Sequence, residues 1–266
     1  MYLTRVEIEQ STRLNTLSLL SQVQDTGIYI DIGCEGPGST PSMPIDMVKR
    51  SKLTLLSEPR SEYYNETKIF YKNNVNVIIN DSFITPDNIN KTIIEPLGEE
   101  KNNVFVMDID IDGYDFYLTE SILKTGIKPT FLSLEINEKI PPPIKFSILY
   151  NNLYKFPNAH FYGMSIAKAE ELTQYGYDLI QLFFNSLILV KKDQNPFYKD
   201  NTLYKAFKPR TALELYNGQY INNNLYKKIE YNQDVNFWQD IKDEQHLIET
   251  INKHFYSYTG KYEIYV

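Results

Sequence analysis

Only one cysteine, Cys34, occurs in the 266 residues. A lone thiol forms no intrachain disulfide and excludes zinc sites built from several cysteines. Long apolar runs are missing too, and nothing approaches the roughly 18 consecutive apolar residues of a membrane-spanning helix. The opening residues, Met1 to Glu9, lack a basic segment followed by an apolar run, so a secretory leader is not expected. Basic charge is scarce: 27 Lys and Arg face 34 Asp and Glu, giving a net charge of −7 and a pI near 5.1. No dense Lys/Arg block stands out, which argues against a binder of nucleic acid held by phosphate neutralisation. These absences lead us to expect a cytoplasmic protein with neither a nucleic-acid nor a membrane partner. The length suits one large domain, or a core domain with an appendage.

What is present is an alternation. Residues 1–25 read as a helical lead-in, with Leu14, Leu17, Leu19, Leu20 and Val23 near helical spacing. Short apolar runs then alternate with stretches long enough for crossover helices. The runs are Ile28–Ile32, Leu53–Leu56, Val75–Ile79, Val104–Met107 and Phe131–Ile136. Rich in β-branched and aromatic residues and without polar alternation, they suit strands buried on both faces. The pattern predicts a doubly wound α/β sheet over 26–192. Two further runs, Tyr177–Phe184 and Leu187–Val190, are separated only by Asn185-Ser186 and read as an antiparallel hairpin. Residues 193–266 hold 10 of the 22 tyrosines and the only Trp, Trp238. They are expected to form a C-terminal extension of helices and loops, serving either as a contact for the core or a second subunit, or as a lid.

The first strand runs into Gly33, Cys34, Glu35, Gly36, Pro37 and Gly38, and the second ends at Ser57-Glu58-Pro59. Glycines let backbone approach a ligand closely, and a carboxylate ending the next strand can hold two ribose hydroxyls. Pro59 cannot extend the ladder, so Glu58 falls at the carboxyl edge of the sheet, where such folds bind ligands. The order from Asp31 to Gly38, Asp-x-Gly-x-x-Gly-x-Gly, resembles the first motif of class I S-adenosylmethionine (SAM) methyltransferases, not the Gly-x-Gly-x-x-Gly of NAD enzymes. Asp81, after the third strand, either meets an adenine amino group or caps the following turn.

The segment Met107 to Tyr117 carries Asp108, Asp110, Asp112 and Asp115. While the chain stays extended, the first three point to one face. Their repulsion would raise each other's pKa unless a divalent ion, a substrate cation or a Lys/Arg sits among them. An acidic strand end capping the next helix through Asp112 or Asp115 is the plainer alternative. Glu135 and Asn137, two apart at the end of the fifth strand, are expected to face the same cleft as a substrate-binding pair. His160 is a candidate general base, or a structural histidine. His246 and His254 carry no expected chemistry, and no Ser-His-Asp order is evident.

Taken together, Ile30 to Gly38, Leu55 to Glu58, Met107 to Asp115, Leu132 to Asn137 and the Gly163…Ile180 closing segment resemble the FkbM-like branch of class I SAM methyltransferases. The resemblance covers roughly residues 25–192. It implies a mostly parallel seven-stranded sheet with an antiparallel last strand, and O-methylation of a small acceptor, a saccharide or sugar derivative of the cell surface. Asp31, Gly33, Gly36, Gly38, Glu58 and Asp81 would then serve SAM. Asp108, Asp110 and His160 become candidate catalytic groups, and Asp112, Glu135 and Asn137 candidates for the acceptor. Asp108, Asp110 and Glu135 are the implied ligands of a magnesium ion, should one be used. An NAD(P)-linked dehydrogenase or epimerase, and a non-catalytic Rossmann-like binding module, are the competing readings.

Overall fold

A computed structural model describes residues 5–23, 27–37, 43–152, 160–199, 205–222 and 242–266. Seven strands form one sheet in the order β3-β2-β1-β4-β5-β8-β7. They are β1 (Ile28–Ile32), β2 (Leu53–Ser57), β3 (Val77–Asn80), β4 (Val104–Ile109), β5 (Phe131–Glu135), β7 (Tyr177–Phe183) and β8 (Ser186–Lys191). The first five pair in parallel, and β8 runs antiparallel between β5 and β7. This is the doubly wound sheet with an antiparallel closing strand that the alternation of runs predicts. The third strand starts later than expected, at Val77, and Val75 is fully exposed (103%).

Parallel neighbours need crossovers, and helices supply them. Helix α2 (Met43–Arg50) links β1 to β2, and α3 (Ser61–Phe70) links β2 to β3. Residues 90–97, ending in the short α4 (Glu95–Leu97), lead to β4, and α5 (Asp115–Lys124) joins β4 to β5. Both faces of the sheet are covered. Ile30, Ile32, Met107, Ile109, Leu132 and Leu134 pack one way, against α5, residues 84–97 and α7 (Ala212–Tyr216). Tyr29, Leu56, Val106 and Phe131 pack the other way, against α1 (Arg5–Leu20) and α2. Burial on two faces is why β1 has no polar alternation, and its five residues are all buried.

The C-terminal part holds a strand that its sequence did not announce. β9 (Tyr262–Tyr265) pairs antiparallel with β6 (Lys145–Ile148), just after Pro141-Pro142-Pro143. Helix α8 (Glu244–His254) covers this pair through Leu247, Ile251 and Phe255, which meet Phe146 and Phe161. The closing strand is also pinned to α6 (Ile166–Ala169): the buried Lys168 ammonium lies 2.8 Å from Glu171, from Glu263 and from the Tyr265 hydroxyl, over the Phe116 ring. Asn223, Asn224 and Trp238 lie outside the described residues. Among the described residues, no helix is long and apolar enough to cross a membrane.

Candidate active site

The carboxyl ends of β1, β2 and β4 are knotted together at Gly33. Its N–H donates to Ser57 O (2.9 Å), the Cys34 N–H donates to the same oxygen, and the Asp110 N–H donates to Ile32 O (3.0 Å). Gly33 has φ +93°, and a Cβ there would stand 1.8 Å from the Asp110 carbonyl oxygen. Glycine is needed for both reasons. The glycine that sequence reasoning gave to the cofactor is therefore first a packing residue that lets β4 approach β1. Gly36 is buried close to Tyr63 and Glu66 of α3, and Gly38 lies outside the described residues.

Asp31 and Asp108 are register partners on β1 and β4, so they share a face. Asp31 is buried and accepts from the Tyr29 hydroxyl at 2.5 Å. Burial, then the charges of Asp31 and Asp108, push the Tyr29 hydroxyl pKa well above its usual value. Glu58 is fully enclosed. Its carboxylate accepts from the backbone of Glu35 (3.0 Å) and Arg60 (2.8 Å), and from two guanidinium nitrogens of Arg60 (2.8 Å each). Asp81 is exposed just past β3.

Extended alternation does not continue through the acidic segment, and this changes the expected grouping. β4 stops at Ile109, and Asp112 adopts a left-handed conformation with φ +53°. Asp115 is buried and closes this turn, accepting from Ile111 N–H (3.0 Å) and Gly113 N–H (2.8 Å). Burial pushes its pKa up to about 7, against the pull of those two donors. As a result Asp108 stays beside Asp31, and the carboxylates that converge are Asp110, Asp112 and Glu135, with oxygens within 4.8 Å of one another. The expected trio of Asp108, Asp110 and Glu135 is corrected to that extent.

Asp110 and Glu135 form the centre. The pKa of Asp110 is raised well above the carboxylate range, first by desolvation and then by Asp112, Asp115 and Asp108. Asp110 is nonetheless exposed to solvent, which tempers the desolvation. Glu135 is raised as well, by desolvation and then by Asp110 and Asp112. Two carboxyls this close hold one proton between them more readily than two negative charges. The Asn185 amide donates to Glu135 Oε1 (2.7 Å), while the Asn185 carbonyl accepts from Ile136 N–H (2.7 Å). Glu135 Oε2 is enclosed and has no hydrogen-bond partner among the described residues. Sequence reasoning read Asn185 only as a turn residue. Its role comes from the long-range β5–β8 register, which has no local signal.

Two expected site residues fall elsewhere. Asn137 is fully buried past the end of β5, donating to His160 O (3.0 Å) and Tyr162 O (3.1 Å) and accepting from Lys139 N–H (3.2 Å). Its amide is used to hold the loop, not to meet an acceptor. His160 has its ring 5.9 Å from that of His254, beside the aromatic cluster of β6, β9 and α8. The contacts described for it lie in that cluster, and a general-base role for His160 stays a proposal.

No family model matches the chain, and no curated protein matches it. Among solved structures, one similar fold is a putative S-adenosylmethionine dependent methyltransferase from Listeria monocytogenes, with a TM-score of 0.46 and 12% identity over 69% of this chain and 98% of that one. The N-methyltransferase NodS from Bradyrhizobium japonicum WM9 gives 0.42 and 9%, over 69% and 94%. Magnesium protoporphyrin IX methyltransferase (ChlM) from Synechocystis PCC 6803, with bound SAM, gives 0.42 and 13%, over 68% and 78%. At such identities and scores these likenesses decide neither reaction nor acceptor, and the fold is defined by the chain's own strand order.

Proposed function

We propose that this chain is a SAM-dependent methyltransferase acting on a hydroxyl of a small acceptor, a saccharide or sugar derivative of the cell surface. The observation that carries the reading is the convergence of the Asp110, Asp112 and Glu135 carboxyls beside the Gly33 turn, at the carboxyl edge of a doubly wound sheet. That edge is where such sheets bind ligands. The sulfonium of SAM supplies an electrophilic methyl group. If the methyl passed to an acceptor oxygen, with the thioether as leaving group, the hydroxyl proton would have to go to the protein. The ionised member of the Asp110–Glu135 pair would take it, and crowding by like charges makes that member a better base. Asp108 and Asp112 leave the cleft strongly negative, which suits a neutral or cationic acceptor and repels a polyanion such as nucleic acid. A single cysteine suits a reducing compartment, and we place the protein in the cytoplasm.

Calorimetric titration with SAM, S-adenosylhomocysteine and NAD(H) tests the reading. Binding of the first two alone is expected. Binding of NAD(H) in their place would support the dehydrogenase alternative, and no binding at all would support the non-catalytic one.

A magnesium-assisted variant of the same reaction is favoured by one feature, the three hard oxygen donors of Asp110, Asp112 and Glu135. Such an ion would be held by this trio and would lower the pKa of the acceptor hydroxyl. If the trio is a magnesium site, millimolar magnesium should raise the melting temperature by about 3 °C through binding to the folded state alone. An unchanged melting curve, with full activity after chelation, would remove the ion.

A further inference from the structure

The acid that ends β2 is fully occupied by the chain itself. A carboxylate offers about four acceptor positions in its plane, and Glu58 has all four filled. Oε1 accepts from the Arg60 N–H and Nε, and Oε2 from the Glu35 N–H and the Arg60 Nη2. Backbone donors take two positions and a bidentate fork takes the other two. Glu58 is 0% exposed, whereas the Arg60 side chain is 51% exposed. Arg60 stands at the N-terminus of α3, with its guanidinium 4.5 Å from the centre of the Tyr63 ring and 3.6 Å from the Glu35 carboxylate. The fork thus has somewhere to go when it lets Glu58 loose: water, the Tyr63 face and a second carboxylate.

We propose that Arg60 is a latch on Glu58, which ribose hydroxyls must displace, and that it thereby sets the affinity of the site for its cofactor. The inference rests on the SAM reading above. The two backbone donors belong to the turn after β1 and to the start of α3 and stay in place. A diol therefore reaches Glu58 only where Nε and Nη2 now sit. Binding exchanges two charge-assisted N–H donors for two O–H donors on the same carboxylate, so much of the gain from the diol is offset by loss of the fork.

The test is calorimetric titration of the full chain with SAM and with S-adenosylhomocysteine, comparing the unaltered protein, Arg60→Ala and Arg60→Lys. Removing the guanidinium should tighten both ligands about tenfold, or about 1.4 kcal/mol. Lysine keeps a charge without the fork and should fall between. Should Arg60→Ala fail to fold, the lysine variant carries the comparison. Affinity unchanged within about twofold would overturn the latch while leaving the cofactor reading intact. Weaker binding in the variants would overturn it too, since Arg60 would then be a contact of the ligand. Absence of binding in all three proteins would instead defeat the cofactor reading, and the latch with it.

Discussion

Gly33→Ala is expected to cost about 3–5 kcal/mol of folding stability, enough to leave a typical domain marginal. Two costs add. A residue with a Cβ at φ +93° is strained, by roughly 1–3 kcal/mol. The Cβ would also stand 1.8 Å from the Asp110 carbonyl oxygen and 2.9 Å from its carbon. Both are backbone atoms, so no side chain can rotate away. Relief requires β1 and β4 to part where the Asp110 N–H holds Ile32 O, beside the bond from the Gly33 N–H to Ser57 O of β2. Urea denaturation of the variant checks this, and a loss below about 1 kcal/mol would show that the turn repacks freely. Because the same contact sets Asp110 beside Glu135, surviving protein should also lose its ordered acidic centre.

Glu135→Gln is expected to separate activity from stability. Glutamine keeps an oxygen for the Asn185 amide and offers an N–H to Asp110, so a crowded pair of acids becomes an ordinary hydrogen bond. Relief of that crowding should add about 1 kcal/mol and raise the melting temperature by roughly 2–4 °C. Turnover should nevertheless fall by about 10²–10⁴, the usual contribution of a general base. SAM affinity should stay within a few-fold, because the proposed role of Glu135 is on the acceptor. Asn185→Ala should lower turnover less, since the pair remains but Oε1 is no longer held. Turnover is read as S-adenosylhomocysteine released, and the melting curve needs no acceptor at all. A variant that melts lower and keeps its turnover would remove the pair from the chemistry.

The reach of the sequence can be judged from particular residues. Ile28–Ile32 and Leu53–Leu56 were legible as strands because burial on both faces makes them continuously apolar. Glu58 was legible at a strand end because Pro59 stops the ladder. Reasoning by alternation grouped Asp110 with Asp112, which do converge, but it failed at Asp108, which stays beside Asp31, and at Asn137, which lies beyond the last residue of its strand. Period-two geometry holds only while the backbone is extended. Asp112 turned left-handed and Asn137 went inward to hold a loop. The β6–β9 pair was not legible, since it joins residues over 110 positions apart and neither run is distinctive alone.

By itself, then, the amino-acid order determined the doubly wound sheet, its closing hairpin, and the edge on which a glycine turn and a cluster of acids would meet. These follow from local properties: apolar runs of strand length, glycines, a proline, and the spacing between them. Tertiary structure alone decided which acids meet. Asp110 reaches Glu135 because β4 and β5 pair in parallel, Asn185 reaches Glu135 through the antiparallel β8, and Arg60 turns back onto Glu58 from the start of α3. Contacts of that kind depend on register and on where a chain leaves its strand, and both are set by packing across the whole sheet.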